Sequence, residues 1–284
     1  MKGFNNIGNT CYLNSGLQML IQNKDFCQLI INYSSKSIIL NQISEFIKKY
    51  YDKSQSSIII PTDIKKIVED KLDIFKGFEQ QDTSEFIICL INIIDDEIKK
   101  VDSNSNGIQS IFGITFNIRI KCKLSDCLQI YNKTEVDNFL LLNIDSECFS
   151  LDDAYRKFKS GEKLDGDNKY FCENCKVKRI ASKRQVIDKW SKYINIYLKR
   201  FNQSGNTITK NNNDIDIPLE WRHDNKLQGA VVHFGNLNSG HYVYVGKQDS
   251  KWYLFNDSSI SEINNHIELK KILSKSCWLH YLKH

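Results

Sequence analysis

The stretch at 82–107, DTSEFIICLINIIDDEIKKVDSNSNG, holds the transition on which the architecture turns. Ile87, Leu90, Ile91, Ile94, Ile98 and Val101 recur at three- and four-residue intervals, forming the single apolar stripe of an amphipathic helix. DSNSNG at 102–107 then ends the pattern with short polar side chains and a glycine, which favour turns. Upstream the apolar period is helical. Leu13, Leu17, Leu20 and Ile21 share one face, as do Ile39, Leu40, Ile43, Phe46, Ile47 and Tyr50. PTDIKKIVEDKL at 61–72 has Pro61, Thr62 and Asp63 at its head, with Ile64, Ile67, Val68 and Leu72 on one side. Downstream the character changes. IFGITFNIRIKC (111–122), KYINIYLKRF (192–201), AVVHF (230–234), HYVYVG (241–246), KWYLF (251–255) and CWLHYL (277–282) are short, β-branched and aromatic, and read as strands. One helix, SLDDAYRKF at 150–158 with Ser150 as its cap, interrupts them. Helices first and strands after predict an α+β architecture whose two parts meet at a cleft.

Composition limits what such a chain does. The 284 residues suffice for a sizeable core, and 41% hydrophobic with 26% charged residues is ordinary for a globular protein. The net charge of +5 permits an acidic partner but lacks the concentrated stripe of a nucleic-acid binder. No apolar run reaches membrane-spanning length and the N-terminus has no secretory or other targeting pattern. Nine cysteines without such a signal predict a reducing, intracellular setting, cytoplasmic or nuclear, where thiols are catalytic, metal-bound or simply buried.

NNIGNTCYLNSGLQML at 5–20 sets Cys11 at the start of the first helix, behind Asn9 and Thr10 as cap candidates. A helix N-terminus favours a thiolate, and an imidazolium alongside favours it further. The same position also suits a small buried residue that packs the helix. Two later segments supply partners for a nucleophile. NSGHYVYVG starts a strand at His241, and KWYLFND ends one at Asn256 and Asp257. A nucleophilic cysteine needs a base, and the base needs a third group to hold its ring. The order Cys, His, Asn is that of papain-like enzymes. His241 and Asn256 stand 15 residues apart (256 − 241), within reach on adjacent antiparallel strands. Cys11 and His241 stand 230 apart (241 − 11), so a large insertion separates them.

GFNNIGNTCYLNSGLQ resembles the Cys box of the ubiquitin-specific proteases, and VVHFGNLNSGHYVYVG with KWYLFNDSSI resembles their His box. GFEQQDTSEFI, YFCENCKVKRIASKRQVI and INIYLKRF resemble further family blocks in the family's order, from Gly3 to about Tyr281. The resemblance implies a papain-like fold with a helical thumb (about 1–107), zinc-ribbon-like fingers (about 108–185) and a β-rich palm (about 186–284) in one catalytic domain. It implies hydrolysis of the bond after the C-terminal glycine of ubiquitin, with ubiquitin and ubiquitinated proteins as partners and a monomeric enzyme. Cys11 would be the nucleophile, His241 the base and Asn256 the orienting residue. Asn6 would be the oxyanion donor, a role worth about 3 kcal/mol in an acyl transfer. Asp257 would support the same region. Asp82 and Glu85, after Gln81, would pair with the arginines of the ubiquitin tail, while their charge also suits a helix N-terminus. Gly240 and Tyr242 would line the channel over the terminal glycines. A chain of 284 residues is expected to leave no room for accessory ubiquitin-binding modules.

Cys122 and Cys127 in CKLSDC, with Cys172 and Cys175 in CENC, offer four thiolates in two close pairs, as a tetrahedral structural zinc requires. Four residues separate the first pair, where the family usually has two. A member that lost the metal and kept its thiols would look the same. Three other readings compete with a deubiquitinase. An inactive ubiquitin-binding module leaves the intact Cys, His and Asn candidates idle. A zinc-ribbon protein that binds RNA leaves both boxes unexplained. A protease for a ubiquitin-like modifier shares every motif.

Overall fold

Among the described residues, six α-helices precede the first long strand: Cys11–Ile21, Lys24–Tyr33, Ile38–Tyr51, Thr62–Glu69, Thr83–Val101 and Gly107–Phe112. The computed structural model describes residues 1–54, 57–127, 129–204, 207–222, 224–236 and 239–283. Leu237 and Asn238, inside the stretch that resembles the His box, lie outside the described residues. One boundary differs from the sequence reading. Ile111 and Phe112 close the Gly107–Phe112 helix, and the strand starts at Ile114. Phe112 packs its ring 5.7 Å from Phe26 of the Lys24–Tyr33 helix, a tertiary contact that local β preference does not register.

The strands form a central eight-stranded sheet in the order Ser259–Ile263, Lys251–Asn256, Gly240–Gln248, Asn225–Gly235, Ser276–Leu282, Tyr193–Lys199, Leu140–Asn143, with Glu220–Trp221 pairing onto Asn225–Gly235. Only the Tyr193–Lys199 and Leu140–Asn143 pair is parallel among these. Both faces are covered. Tyr242, Tyr244, Val231 and Phe255 face the helical core, whereas Val243, Val245, Ala230 and Val232 join a second core with Leu151 and Ala154 of the Leu151–Ser160 helix and Leu269 and Leu273 of the His266–Leu273 helix. A strand buried on both sides reads as a near-continuous apolar run, which is how these segments read in sequence. Val231 opposes Trp278 but Val232 opposes Ser276, so Cys277 is an extra residue in its strand, and Cys277 and Trp278 both enter the helical core. Ser150 caps its helix as the sequence predicts, its hydroxyl accepting from the Asp153 N–H at 3.1 Å.

A separate four-stranded sheet, Ile130–Asp137, Ile114–Cys122, Ala181–Lys189 and Glu162–Leu164, extends from this body. The hairpin Tyr170–Cys172 with Val177–Arg179 lies at its cysteine-bearing end. The Cys11–Ile21 helix is buried along its whole length, between the Thr83–Val101 helix and the Gly240–Gln248 strand. Gly16 permits this closeness, because a Cβ there would stand 2.8 Å from the Phe86 ring. No helix among the described residues is long and apolar enough to cross a membrane.

Candidate active site

Cys11 is the first residue of its helix and only 4% exposed. Thr10 occupies the cap position without capping. Its hydroxyl accepts from the Ile7 N–H at 3.0 Å instead, so the first-turn N–H groups stay free of a side-chain cap. The strand Gly240–Gln248 brings His241 against the thiol, and the neighbouring strand brings Asn256 to the ring from the other side. His241 Nε2 lies 2.7 Å from Asn256 Oδ1. With Nε2 engaged there as the donor, Nδ1 is the nitrogen left for Cys11. The contact with Cys11 pushes the His241 pKa up to about 9; burial opposes the rise, while Asn256 and the Cys11 and Asp257 charges add to it. An imidazolium at neutral pH is the partner a thiolate needs.

This shift carries a pH dependence. The folded pKa of His241 lies above its ordinary 6.5, so the favourable contribution of the imidazolium is complete below 6.5 and is lost as pH rises through about 9. The expected kcat/KM profile is level through neutrality and falls near pH 9, and Asn256→Ala moves that limb to lower pH. A rate that instead climbed with pH toward the free-thiol value of about 8.5 would show that no ion pair exists.

Asp257 ties the neighbouring polar groups together. One of its carboxylate oxygens accepts from Asn6 Nδ2 at 2.9 Å and the other from Asn14 Nδ2 at 2.7 Å. Asn6 Oδ1 accepts from the N–H groups of Gly8 and Thr10, each at 3.1 Å. The Asn6 amide is thus held at both ends, with its second N–H hydrogen left for another acceptor. Sequence reading did not single out Asn14. Its signal in the sequence was a polar residue three positions after Cys11, on the same turn of the helix, and the structure buries it there.

A cavity of about 430 Å³ opens beside Cys11, and Gln81, Asp82, Glu85, Gly240 and Tyr242 all line it. Asp82 does two local jobs. Its Oδ1 caps the Thr83–Val101 helix by accepting from the Ser84 and Glu85 N–H groups at 2.6 and 3.2 Å, and its Oδ2 accepts from the Tyr242 hydroxyl at 3.1 Å. Glu85 has its carboxyl held above the ordinary range by burial, with the Asp82 charge adding to it. Gln80 and His233 also line the cavity and were not anticipated. Gln80 donates to the Gly240 carbonyl at 3.3 Å. A Cβ on Gly240 would fall 2.0 Å from His233 Nε2, so only glycine fits between that ring and His241.

Cys122, Cys127, Cys172 and Cys175 form a second centre, with their sulfurs all within 4.8 Å of one another. Cys127 and Cys172 stand 3.6 Å apart, close to the sulfur–sulfur edge of about 3.8 Å expected for a tetrahedron with metal–sulfur bonds of about 2.3 Å. Lys176, at a left-handed φ of 57°, turns the CENC hairpin back so that its N–H meets the Cys172 carbonyl at 2.8 Å. This group can hold a metal ion.

A thiol at a bare helix start, with an imidazole fixed from behind by an amide, on a helical lobe packed to a mostly antiparallel sheet, is the arrangement of a papain-like cysteine hydrolase. Comparison with known proteins narrows the class. A family model described as ubiquitin carboxyl-terminal hydrolase matches residues 2–281. The chain belongs to that family, the ubiquitin-specific cysteine proteases. Ubiquitin carboxyl-terminal hydrolase 12 of Salmo salar is 30% identical over 309 residues, covering 92% of this chain and 82% of that protein. Among solved structures, the SAGA DUB module of Ubp8, Sgf11, Sus1 and Sgf73 bound to monoubiquitin superposes with a TM-score of 0.80 at 24% identity, covering 100% of this chain and 69% of that one. The same module bound to ubiquitin aldehyde gives 0.78 at 23%, with 100% and 70% coverage.

Proposed function

We propose that Cys11, His241 and Asn256 are the catalytic residues of this deubiquitinase. The observation that supports it is the His241 ring held between the Cys11 thiol and the Asn256 amide. The Cys11 thiolate attacks the carbonyl carbon of ubiquitin's C-terminal glycine, and the C=O electron pair moves onto oxygen. The free Asn6 N–H donates a hydrogen bond to that oxyanion, a contribution of about 3 kcal/mol to lowering the barrier. Asp257 and the Gly8 and Thr10 N–H groups keep the Asn6 amide aimed, so Asp257 is a positioning residue. His241 gives its proton to the departing amine as the C–N bond breaks, leaving a thioester on Cys11. A water that loses its proton to His241 then attacks the thioester, and the thiolate leaves.

Substrate recognition follows from the cavity lining. Asp82 and Glu85 offer carboxylates to a basic tail, and Gly240 and Tyr242 line the wall that its terminal glycines would pass. The helical lobe serves as thumb, the four-stranded sheet with its cysteine tip as fingers, and the central sheet as palm, within one catalytic unit. Zinc is the metal for the cysteine tip, since four thiolates leave no position open for water and a d10 ion accepts tetrahedral sulfur. Such an ion is structural; it supplies order to the tip and takes no part in acyl transfer.

The test is a panel of modifiers carrying a C-terminal electrophile. Ubiquitin is expected to form one adduct, located by mass spectrometry at Cys11. Labelling at another cysteine removes Cys11 from its role, and labelling only by a ubiquitin-like modifier changes the substrate.

A further inference from the structure

At the opposite end of the Cys11–Ile21 helix, about 16 Å from the thiol at 1.5 Å per residue, lies a second cavity of about 370 Å³. Its charged side chains are Lys2, Lys24 and Lys53, and no acidic side chain among the described residues lines it. Lys2 is only 5% exposed, and its ammonium is buried with no hydrogen-bond partner among the described residues. A buried charge without a partner costs several kcal/mol. The other deeply buried cations do have partners. Lys65 donates to Glu69 and, at 2.8 Å, to the Gly77 carbonyl. Arg200 donates to the carbonyls of Ser276, Asn211, Asn213 and Ser274 at 2.6–3.2 Å. Nearby acids are otherwise occupied: Asp25 pairs with Lys192, and Asp52 accepts from the Ser54 N–H and hydroxyl at 2.9 and 2.7 Å. Lys24 and Lys53 are exposed at the rim and carry no ion pair among the described residues.

We propose that this cavity binds a small molecule bearing a diphosphate group, with Lys2 at its base and Lys24 and Lys53 at its mouth. Three lysine ammoniums set the side-chain charge. A single phosphate monoester carries about −1.5 to −2 and leaves a surplus, whereas two linked phosphates balance three lysines more closely. The volume is that of a small-molecule site, and the depth of Lys2 favours a ligand that enters over a polymer that lies across the surface. The rim hydroxyl of Ser57 is a further donor. The cavity also joins the catalytic framework. Gln248 of the His241 strand donates to Gln22 at 2.8 Å, Gln22 donates to Gln18 at 3.2 Å, and Gln18 of the Cys11 helix donates to the Lys2 carbonyl at 2.7 Å. Occupancy therefore braces the helix that carries the nucleophile and the strand that carries the base.

The probe is sodium pyrophosphate, read by thermal melting and by calorimetric titration of the whole chain, against sodium chloride of matched ionic strength. Pyrophosphate at about a hundred times its Kd is expected to raise Tm by about 5 °C, and orthophosphate by less. Lys2→Met, which keeps the length of the side chain and removes its charge, abolishes the shift. Lys24→Gln combined with Lys53→Gln, both at the exposed rim, weakens binding at least tenfold. A wild-type Tm equal to that in sodium chloride overturns the proposal. So does an equal pyrophosphate shift in Lys2→Met or, if that variant fails to fold, an unchanged affinity in the rim double variant.

Discussion

Cys11→Ala is expected to lower turnover of a ubiquitin-linked substrate by about 10⁴-fold or more, because no covalent route to the thioester remains. Ubiquitin binding should survive. The substituted atom is one buried sulfur at a helix start, and the groups proposed to grip substrate belong to other elements: the Thr83–Val101 helix and its leading loop, and the Gly240–Gln248 strand. Stability should fall little, since Cys→Ala at one small buried site removes few contacts. Retained turnover would mean that another of the nine cysteines is the nucleophile. Outside the cysteine tip the structure leaves poor candidates for that. Cys27 and Cys89 have their thiols pushed up to about 12 and about 11 by burial, and Cys277 is pushed further up for the same reason.

The second large effect concerns the cysteine tip. The protein is expected to carry about one zinc per chain, and Cys172→Ser to lose most of it. Structural zinc contributes about 10–16 kcal/mol in isolated finger peptides; if half of the lower figure operates here, the first thermal transition falls by about 10 °C. The reason is in the packing: Cys122, Cys127 and Cys172 are the buried core of this tip, with Tyr170 and Cys175 packed against them among the described residues, so metal–sulfur bonds supplement a small apolar core. KM for ubiquitin should rise while the alkylation rate of Cys11 stays the same. Elemental analysis showing no zinc, or a chelator that leaves melting unchanged, would make these thiols relics of a lost site.

Sequence alone determined the change from helical to alternating apolar period at 102–107, because both periods are local properties of side-chain spacing. It also singled out Cys11, His241, Asn256 and the four tip cysteines as the candidate site residues, since the chemistry they offer allows few substitutes. Tertiary structure decided the rest. The Gly107–Phe112 helix took Ile111 and Phe112 from the expected strand because Phe26 lies across from Phe112, a neighbour 86 residues away (112 − 26). Asp257 became the clamp of Asn6 and Asn14 only when the Lys251–Asn256 strand met the Cys11–Ile21 helix across 243 residues. Asp82 turned out to hold both a helix cap and the Tyr242 hydroxyl, a division of its two oxygens that depends on where the His241 strand lies. The uncompensated Lys2 was equally invisible, because whether a cation is buried or paired is a property of everything folded around it, while a sequence shows only that it is charged.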